Sequence, residues 1–227
     1  EIAHRVNKPV DRNEWYMTPQ TINAYYDPTT NEICFPAGIL QAPFFDPAAD
    51  DAANYGAIGV VIGHEMTHGF DDQGSQFDKE GNLRNWWTPQ DKANFKARTE
   101  RMVRFFDAIE VLPGLHCNGA LTCGENIADH GGLKVAYQAF RNATARNPLP
   151  KFEGFTPDQR FFISYAQVWA NNIRPEALRN QVKTDPHAPG RWRVNGELPQ
   201  IDAWYNAFGI KKGDKLFVPK NKRVDVW

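Results

Sequence analysis

The sequence predicts an α+β fold that is mainly α-helical and carries a small β-sheet near its start. Four stretches combine a helical spacing of apolar residues with start or stop signals, whereas short extended runs, interrupted by prolines, are confined to residues 1–45. Apolar residues make up 41% of the 227 positions and charged residues 23%, an ordinary globular balance with enough chain to bury a sizeable core. Because no repeat or linker interrupts it, we expect residues 1–227 to form a single domain.

The predicted sheet and the first helix lie in the first third of the chain. The run DPTTN at 27–31 is typical of a turn between two strands. Helical periodicity extends over 47–70, and Gly69 followed by the polar residues 71–74 marks the end of this helix.

Three further helices are predicted after the first. A Thr-Pro pair, typical of an N-cap followed by proline at the first helical position, opens the stretch 88–109 and again the stretch 156–172. Between them, residues 124–146 carry helical periodicity. The segment 175–200 is again rich in proline and glycine, and we expect a loop at 185–193.

Charge and hydropathy exclude several classes of function. The net charge of −1 offers no electrostatic case for binding nucleic acid or an anionic membrane. The longest apolar stretch, 57–63, is far too short to span a bilayer. Because the chain starts at Glu1 without an initiating Met or a signal-like apolar region, we expect it to be a piece of a longer protein.

The three cysteines, Cys34, Cys117 and Cys123, do not form a disulfide framework. Cys117 and Cys123 bracket Asn118-Gly119, a dipeptide that favours a hairpin turn. A cross-strand disulfide and a pair of free, partly buried thiols are both compatible with this pattern, and free thiols are the simpler interpretation.

The strongest chemical signal is the motif HEMTH at 64–68, inside the first predicted helix. His64 and His68, four residues apart, lie on one face of a helix, so both imidazoles can reach one metal ion. Glu65 lies at the rim of such a site, where a carboxylate can take a proton from metal-bound water. Since the preceding apolar residues 56–63 predict a buried helix, polar side chains there are costly unless they have partners.

A catalytic zinc site needs a third protein ligand and one open position. One zinc peptidase class places a third His six residues after the second and a Gly three residues after it, but Gly74 and Asp71 occupy those positions here. Glu125 is the best candidate, because Glu125 and Asp129 are again four residues apart on one helix face. Asp129 and Asp71 are both suited to accept the far N–H of a ligating histidine.

Spacing alone leaves the third ligand open. An acidic residue in the first turn of a helix is equally well explained by the helix dipole, which applies to Glu125. The competing third ligands are His116, His130, Cys117 and Cys123.

Two segments, VIGHEMTHGFD at 61–71 and GENIAD at 124–129, resemble the neprilysin and endothelin-converting-enzyme family of zinc endopeptidases. Further segments resemble blocks of the same family in the same order: 23–26, 35–45, 167–169, 174–176 and 187–193. The resemblance therefore runs through nearly the whole chain.

The resemblance implies a thermolysin-like zinc peptidase catalytic domain with one Zn²⁺ per chain. It implies His64, His68 and Glu125 as the zinc ligands, and Asp129 as the carboxylate behind a histidine. The implied reaction is hydrolysis of oligopeptides, on the amino side of hydrophobic residues, by Glu65-assisted attack of zinc-bound water.

The resemblance also implies the substrate-binding residues. Asn23 and the backbone of Ala24 would hold the peptide as an added strand. His187 would stabilise the oxyanion, and Arg193 would bind a substrate carbonyl. The pocket for the residue after the cut would be lined by Phe44, Val60, Val61, Val168 and Trp169.

Two departures from the family pattern concern the ends of the chain. Many members end in Cys-x-x-Trp, whose cysteine forms a disulfide, whereas residues 224–227 read VDVW, so that bond cannot form. The large helical region that precedes this part in the family, and that would cap the cleft, is absent from the sequence. From the resemblance alone we expect the parent protein to be exported, in a periplasmic, membrane-anchored or extracellular form.

Two other functions compete with a peptidase. A non-catalytic zinc module would have a closed site with four protein ligands, usually cysteine-rich. A peptide-binding shell that has lost activity would keep the cleft without the chemistry, but Glu65 is intact.

Overall fold

The computed structural model describes residues 5–226, which fold mostly into helices. The α-helices are α1 (Asp51–Asn54), α2 (Val60–His68), α3 (Pro89–Asp107), α4 (Cys123–Thr144), α5 (Pro157–Val168), α6 (Pro175–Thr184), α7 (Gly190–Glu197) and α8 (Asp202–Phe208). The strands are β1 (Tyr25–Asp27), β2 (Glu32–Cys34), β3 (Glu110–Leu112) and β4 (Leu115–His116), paired as two antiparallel hairpins. The predicted helix-rich α+β class is confirmed, with a second small sheet that the sequence did not suggest. Within the described residues, the helices are too short or too polar to cross a bilayer.

The first predicted helix is one continuous helical rod with a local irregularity. Asp50 caps it by accepting a hydrogen bond from the Ala53 backbone N–H, and α1 continues into α2 through the π-helical turn Tyr55–Gly59. The rod ends at Gly69, as predicted. A π-helical turn inside a helix often occurs next to a functional site, and this one lies one turn before the HEMTH motif.

Glycines let α2 and α4 touch backbone to backbone. A Cβ on Gly63 would lie 2.9 Å from the Cα of Gly132, and a Cβ on Gly132 would lie 2.7 Å from the His64 N and the Val60 O. Contacts that short are not tolerated by real Cβ atoms, so neither position accepts a larger side chain without moving a helix. This close approach brings the HEMTH motif on α2 alongside the start of α4.

Two apolar clusters fix the helices around this contact. The larger joins α4, α5 and α8 and includes Phe140, Phe161, Phe162, Tyr165, Trp204 and Tyr205. The second joins α3, α4 and the last described residues and includes Met102, Phe106, Ile127, Val224 and Val226. Each large side chain buried in this way contributes about 2 to 3 kcal/mol.

The cap signatures mark helix starts correctly. Thr88 and Thr156 accept hydrogen bonds from the backbone N–H groups of Asp91 and Gln159, and the Gln159 side chain completes a capping box. The observed boundaries of α3 and α4 lie within two residues of the predicted ones.

The predictions for residues beyond 168 need correction. Helix α5 ends at Val168 rather than near 172, and Arg174, the residue before Pro175, is extended. No helix was predicted in 175–200, yet this segment contains α6 and α7, and α7 begins inside the loop expected at 185–193. Pro175 occupies the first turn of α6, where proline is compatible with a helix, so here it starts a helix rather than breaking one.

The hairpin predicted at Asn118-Gly119 is also wrong. The turn between β3 and β4 lies at 113–114, where Gly114 has φ 72°. Asn118 instead accepts a hydrogen bond from the Leu121 N–H in the loop that enters α4. Cys117 and Cys123 are buried free thiols, so the disulfide alternative is excluded and the free-thiol interpretation stands.

Candidate metal centre

Two histidines and one glutamate converge where α2 meets α4. The Nε2 atoms of His64 and His68 are 3.0 Å apart. The Oε2 atom of Glu125, from the first turn of α4, lies 3.2 Å from His64 Nε2 and 3.7 Å from His68 Nε2. Within residues 5–226, this is the one group of three or more His, Cys, Asp or Glu side chains whose ligand atoms all lie within 4.8 Å of one another.

A carboxylate stands behind each histidine. His64 Nδ1 lies 2.8 Å from Asp129 Oδ1, and His68 Nδ1 lies 2.6 Å from Asp71 Oδ2. An Nδ1–H that donates to a carboxylate fixes the tautomer and leaves Nε2 free to bind a metal. Both carboxylates considered from the sequence are therefore used, one on each ring.

The three side chains fit a zinc ion. Two donors about 2.05 Å from a tetrahedral zinc ion are about 3.3 Å apart, close to the three separations among His64, His68 and Glu125. Glu125 Oε2 is buried and has no hydrogen-bond donor, a costly condition that a bound cation would relieve. Two imidazoles and one carboxylate are also a donor set of catalytic zinc sites.

The close packing of these side chains shifts the pKa values of His64 and Glu125. Burial alone would lower the pKa of His64, but the carboxylates of Asp129 and Glu125 raise it to about 9. Burial would raise the pKa of Glu125, yet the imidazoles of His187, His64 and His68 outweigh it and lower the pKa. Both shifts favour an ionised Glu125 carboxylate beside the imidazoles.

Glu65 lies on α2 between the two histidines and lines the same cleft. Its side chain is largely enclosed, with the residue 5% exposed, and burial raises the pKa of its carboxyl. A raised pKa brings a carboxylate nearer to the value at which it exchanges protons at neutral pH.

His187 reaches the cluster from the loop before α7. Its Nε2 lies 3.2 Å from Glu125 Oε2, and its Nδ1 lies 2.7 Å from Asp185 Oδ1, which also accepts the His187 backbone N–H. Its side chain is 39% exposed, so one face is open to the cleft. Asp185 was missed by sequence reasoning, although an acidic residue two positions before a histidine is a signal for this kind of support.

Arg193 on α7 is bound mainly to Asp129. Its Nε and Nη2 donate to the two carboxylate oxygens of Asp129 at 2.7 and 2.6 Å. Its guanidinium lies 3.7 Å from the ring centroid of Trp169, and the Tyr165 hydroxyl donates to its carbonyl oxygen at 2.9 Å. The residue is 5% exposed yet lines the cleft, so Arg193 both supports the carboxylate behind His64 and faces the site. The link to Asp129 was not anticipated from the sequence.

The cleft that contains these residues has a volume of about 650 Å³. Asn23 and Ala24 line it immediately before β1. All five residues predicted for the apolar pocket also line it: Phe44, Val60, Val61, Val168 and Trp169. Lining residues that the sequence did not single out include Ile22, Tyr25, Tyr26, Leu121 and Tyr165.

The competing third ligands lie elsewhere. His116 is exposed, with its Nδ1 3.2 Å from the Asp107 carbonyl oxygen. His130 faces Glu197 and Asp225. Cys117 and Cys123 are part of the apolar cluster beside α3.

Comparisons with known proteins agree with this geometry. Residues 23–224 match peptidase family M13. An endothelin-converting enzyme homolog of Locusta migratoria is 47% identical over 227 residues, and endothelin-converting enzyme 1 of Homo sapiens is 46% identical over 229 residues. The crystal structure of the zinc metalloprotease Zmp1 of Mycobacterium tuberculosis in complex with an inhibitor superposes with a TM-score of 0.95 at 48% identity.

The similarity covers nearly all of this chain and a minor part of each relative. It extends over 98% of the chain and 31% of the locust protein, 99% and 29% for the human protein, and 99% and 35% for Zmp1. The chain thus spans less than a third of the length of the curated relatives it matches.

Proposed function

Because the chain belongs to peptidase family M13, we propose that it is the catalytic portion of a zinc-dependent endopeptidase that hydrolyses oligopeptides. The observation that carries the proposal is the convergence of His64, His68 and Glu125, with an outer carboxylate on each histidine. The likeness to endothelin-converting enzymes and to the zinc metalloprotease Zmp1 supports it. We propose that residues 1–227 act as one catalytic unit with one zinc ion.

Each residue of the site has a proposed role. When bound by His64, His68 and Glu125, zinc would supply Lewis-acid polarisation, which makes water nucleophilic near neutral pH. Glu65 takes the proton of the attacking water and passes it to the leaving amine.

His187 and Arg193 act on the substrate in this proposal. As an imidazolium, His187 donates its Nδ1–H to Asp185 and directs its Nε2–H into the site, where that N–H donates to the carbonyl oxygen as negative charge develops. Arg193 offers the donors that Asp129 does not use to a substrate carbonyl.

The proposed specificity is cleavage on the amino side of a hydrophobic residue. Support comes from the apolar wall of the cleft, which Phe44, Val60, Val61, Val168 and Trp169 form next to the metal ligands. Asn23 and the Ala24 backbone precede β1 at the cleft, where an extended peptide can be held by main-chain hydrogen bonds.

The test is metal-dependent cleavage of peptides that differ at one position. The protein is stripped with a chelator, reloaded with zinc, and assayed on quenched peptides with Phe, Leu or Asp after the scissile bond. We expect activity only in the reloaded protein, a preference of at least about tenfold for Phe or Leu, and one product pattern by mass spectrometry. Full zinc occupancy without cleavage would overturn the proposal in favour of a peptide-binding shell.

A structural zinc module is the alternative. The two cysteines nearest in sequence to Glu125 belong to an apolar cluster, and Glu65 lines an open cleft rather than a closed site. A fourth protein ligand, expected of a structural site, is missing from the group found among residues 5–226.

The setting of the whole protein is also a proposal. The relatives are about three times longer, and we propose that a helical region of the parent protein covers the cleft and limits the size of peptides that enter. By its likeness to endothelin-converting enzymes, we propose an exported location.

A further inference from the structure

A second cluster of ionisable side chains lies on α4 beside the metal site. We call it the His130 cluster, and it consists of His130 and Lys134 on α4, Glu197 on α7 and Asp225 near the end of the chain. His130 Nδ1 lies 3.5 Å from Glu197 Oε2, and His130 Nε2 lies 3.6 Å from Asp225 Oδ1. Lys134 Nζ lies 2.5 Å from the same Asp225 oxygen.

Two members of this cluster, His130 and Glu197, form an inner pair that is fully enclosed. His130 is 1% exposed and Glu197 0%, and neither nitrogen of His130 nor either oxygen of Glu197 has a hydrogen-bond partner. Buried polar groups without hydrogen bonds are costly, so the close approach of His130 and Glu197 is the main compensation that each of them has. Burial raises the pKa of the Glu197 carboxyl to about 7, and the flanking carboxylates raise the pKa of His130 against the effect of burial.

The His130 cluster is not a second metal site. The two nitrogens of His130 are on opposite sides of one ring, and each faces a different carboxylate. The two nitrogens therefore point in divergent directions, and a single ion cannot bind His130, Glu197 and Asp225 together. Each nitrogen of His130 instead lies within 3.6 Å of a carboxylate oxygen.

The His130–Glu197 pair and the Asp129–Arg193 ion pair connect the same two helices. Asp129 and His130 are neighbours on α4, and Arg193 and Glu197 are one turn apart on α7. Asp129 binds Arg193, and His130 faces Glu197, so two oppositely charged pairs connect the same two helices in register. Helix α7 has eight residues, and the two pairs connect its middle and its C-terminal end to α4.

We propose that the buried His130–Glu197 pair positions Arg193 in the cleft, so that His130 and Glu197 act as positioning residues for peptide binding. This rests on the proposed function, in which Arg193 binds a substrate carbonyl. Glu197 holds the C-terminal end of α7, and Asp129 holds its middle. With both links in place, the guanidinium stays stacked on Trp169 and faces the cleft.

The test measures peptide binding without turnover. The zinc-loaded protein, expressed from its whole reading frame and carrying Glu65→Gln, is titrated with a fluorescent oligopeptide that contains a hydrophobic residue. Adding Glu197→Gln is expected to raise Kd about tenfold, within the range of residues that act through packed neighbours, while zinc content is unchanged. The matched control is Asp225→Asn, which removes the other carboxylate facing His130 without touching α7, and Kd should stay within about twofold.

Two further variants separate positioning from simple stabilisation. If Glu197 acts through Arg193, the effect of Glu197→Gln should vanish in an Arg193→Lys background. If Glu197→Gln does not fold, His130→Asn with Glu197→Gln decides the question, because it leaves no unpaired buried charge. A wild-type Kd in the folded variants, with only the melting temperature lowered, would overturn the proposal, as would additive effects with Arg193→Lys.

The two proposals fail in different ways. A protein that binds the peptide but never cleaves it would overturn the proposed function, and the Kd series would still report on the ion pair. An active wild-type enzyme with unchanged Kd in every Glu197 variant would overturn the ion-pair role alone.

Discussion

Helix α4 contributes to two histidine–carboxylate clusters, with Glu125 and Asp129 in one and His130 in the other, and the two are built in opposite ways. In the metal cluster, His64 and His68 each have a carboxylate on Nδ1 at 2.8 or 2.6 Å, and their Nε2 atoms converge on Glu125. In the His130 cluster, one imidazole lies between two carboxylates at 3.5 and 3.6 Å, and its nitrogens point apart.

The difference shows what a metal centre requires beyond the right residue types. Both clusters combine histidine with acidic groups in a largely buried place, so composition does not separate them. What separates them is that the outer carboxylates of the first cluster anchor each ring from behind, which leaves three donor atoms facing one point. In the second, both nitrogens are occupied by charge pairing and no common point exists.

The largest effect is expected from removal of Glu125, the carboxylate on which the two histidine Nε2 atoms converge. Glu125→Ala should abolish zinc binding and reduce peptide hydrolysis to background, because only two protein ligands remain. Elemental analysis after gel filtration measures the metal. His130→Asn is the control and should retain one zinc per chain. Full zinc in Glu125→Ala would mean that another residue is the third ligand.

The next largest effect tests the residue between the two histidines. Glu65→Gln should keep zinc and lower kcat by at least about 10²-fold, since the base is lost while the ligands stay. Steady-state kinetics on a quenched peptide, with metal content of the same sample, measures both. Loss of metal in this variant would make Glu65 a ligand and would contradict the division of roles within the HEMTH motif.

Substitution of His187 tests whether a histidine beside the metal cluster acts on the substrate rather than binding the ion. His187→Ala should lower kcat and kcat/KM together by about 10²-fold, or about 3 kcal/mol, with zinc content and KM nearly unchanged. Asp185→Asn should have a smaller effect in the same direction, because the ring stays but loses its support. A rise in KM alone would move His187 to substrate binding.

Removal of an outer carboxylate should have a milder effect, which is confined to zinc affinity. Asp129→Asn should weaken zinc binding by about 10- to 100-fold, because the group that orients His64 is lost. Competition with a chromophoric chelator measures the affinity. Unchanged affinity in Asp129→Asn would show that orientation from behind is unimportant here.

The smallest expected effect lies at the rim of the His130 cluster. Asp225→Asn should leave zinc affinity unchanged and lower the free energy of unfolding by less than about 1 kcal/mol, since the Asp225 side chain is 65% exposed and its ion pair with Lys134 is largely solvated. Urea denaturation measures this. A larger loss of stability, or any loss of zinc, would mean that the two clusters are coupled through α4.

Local patterns identified from the sequence were confirmed where the geometry they describe is itself local. His64 and His68 share a helix face because they are four residues apart, and the Thr-Pro caps start α3 and α5 by contacts within one turn. The same kind of rule went wrong at Asn118-Gly119 and in 175–200, because turn and helix-breaking propensities are weak and packing overrides them.

By itself the sequence determined the HEMTH helix, its end at Gly69, and the helix-rich class of the fold. Only the tertiary structure decided which carboxylate stands behind which histidine, that Asp129 also binds Arg193, and that His130 faces Glu197 rather than Glu125. The physical reason is chain separation. His64 and Asp129 are 65 residues apart, and they meet because Gly63 and Gly132 let two helices touch, a contact set by the packing of the whole core.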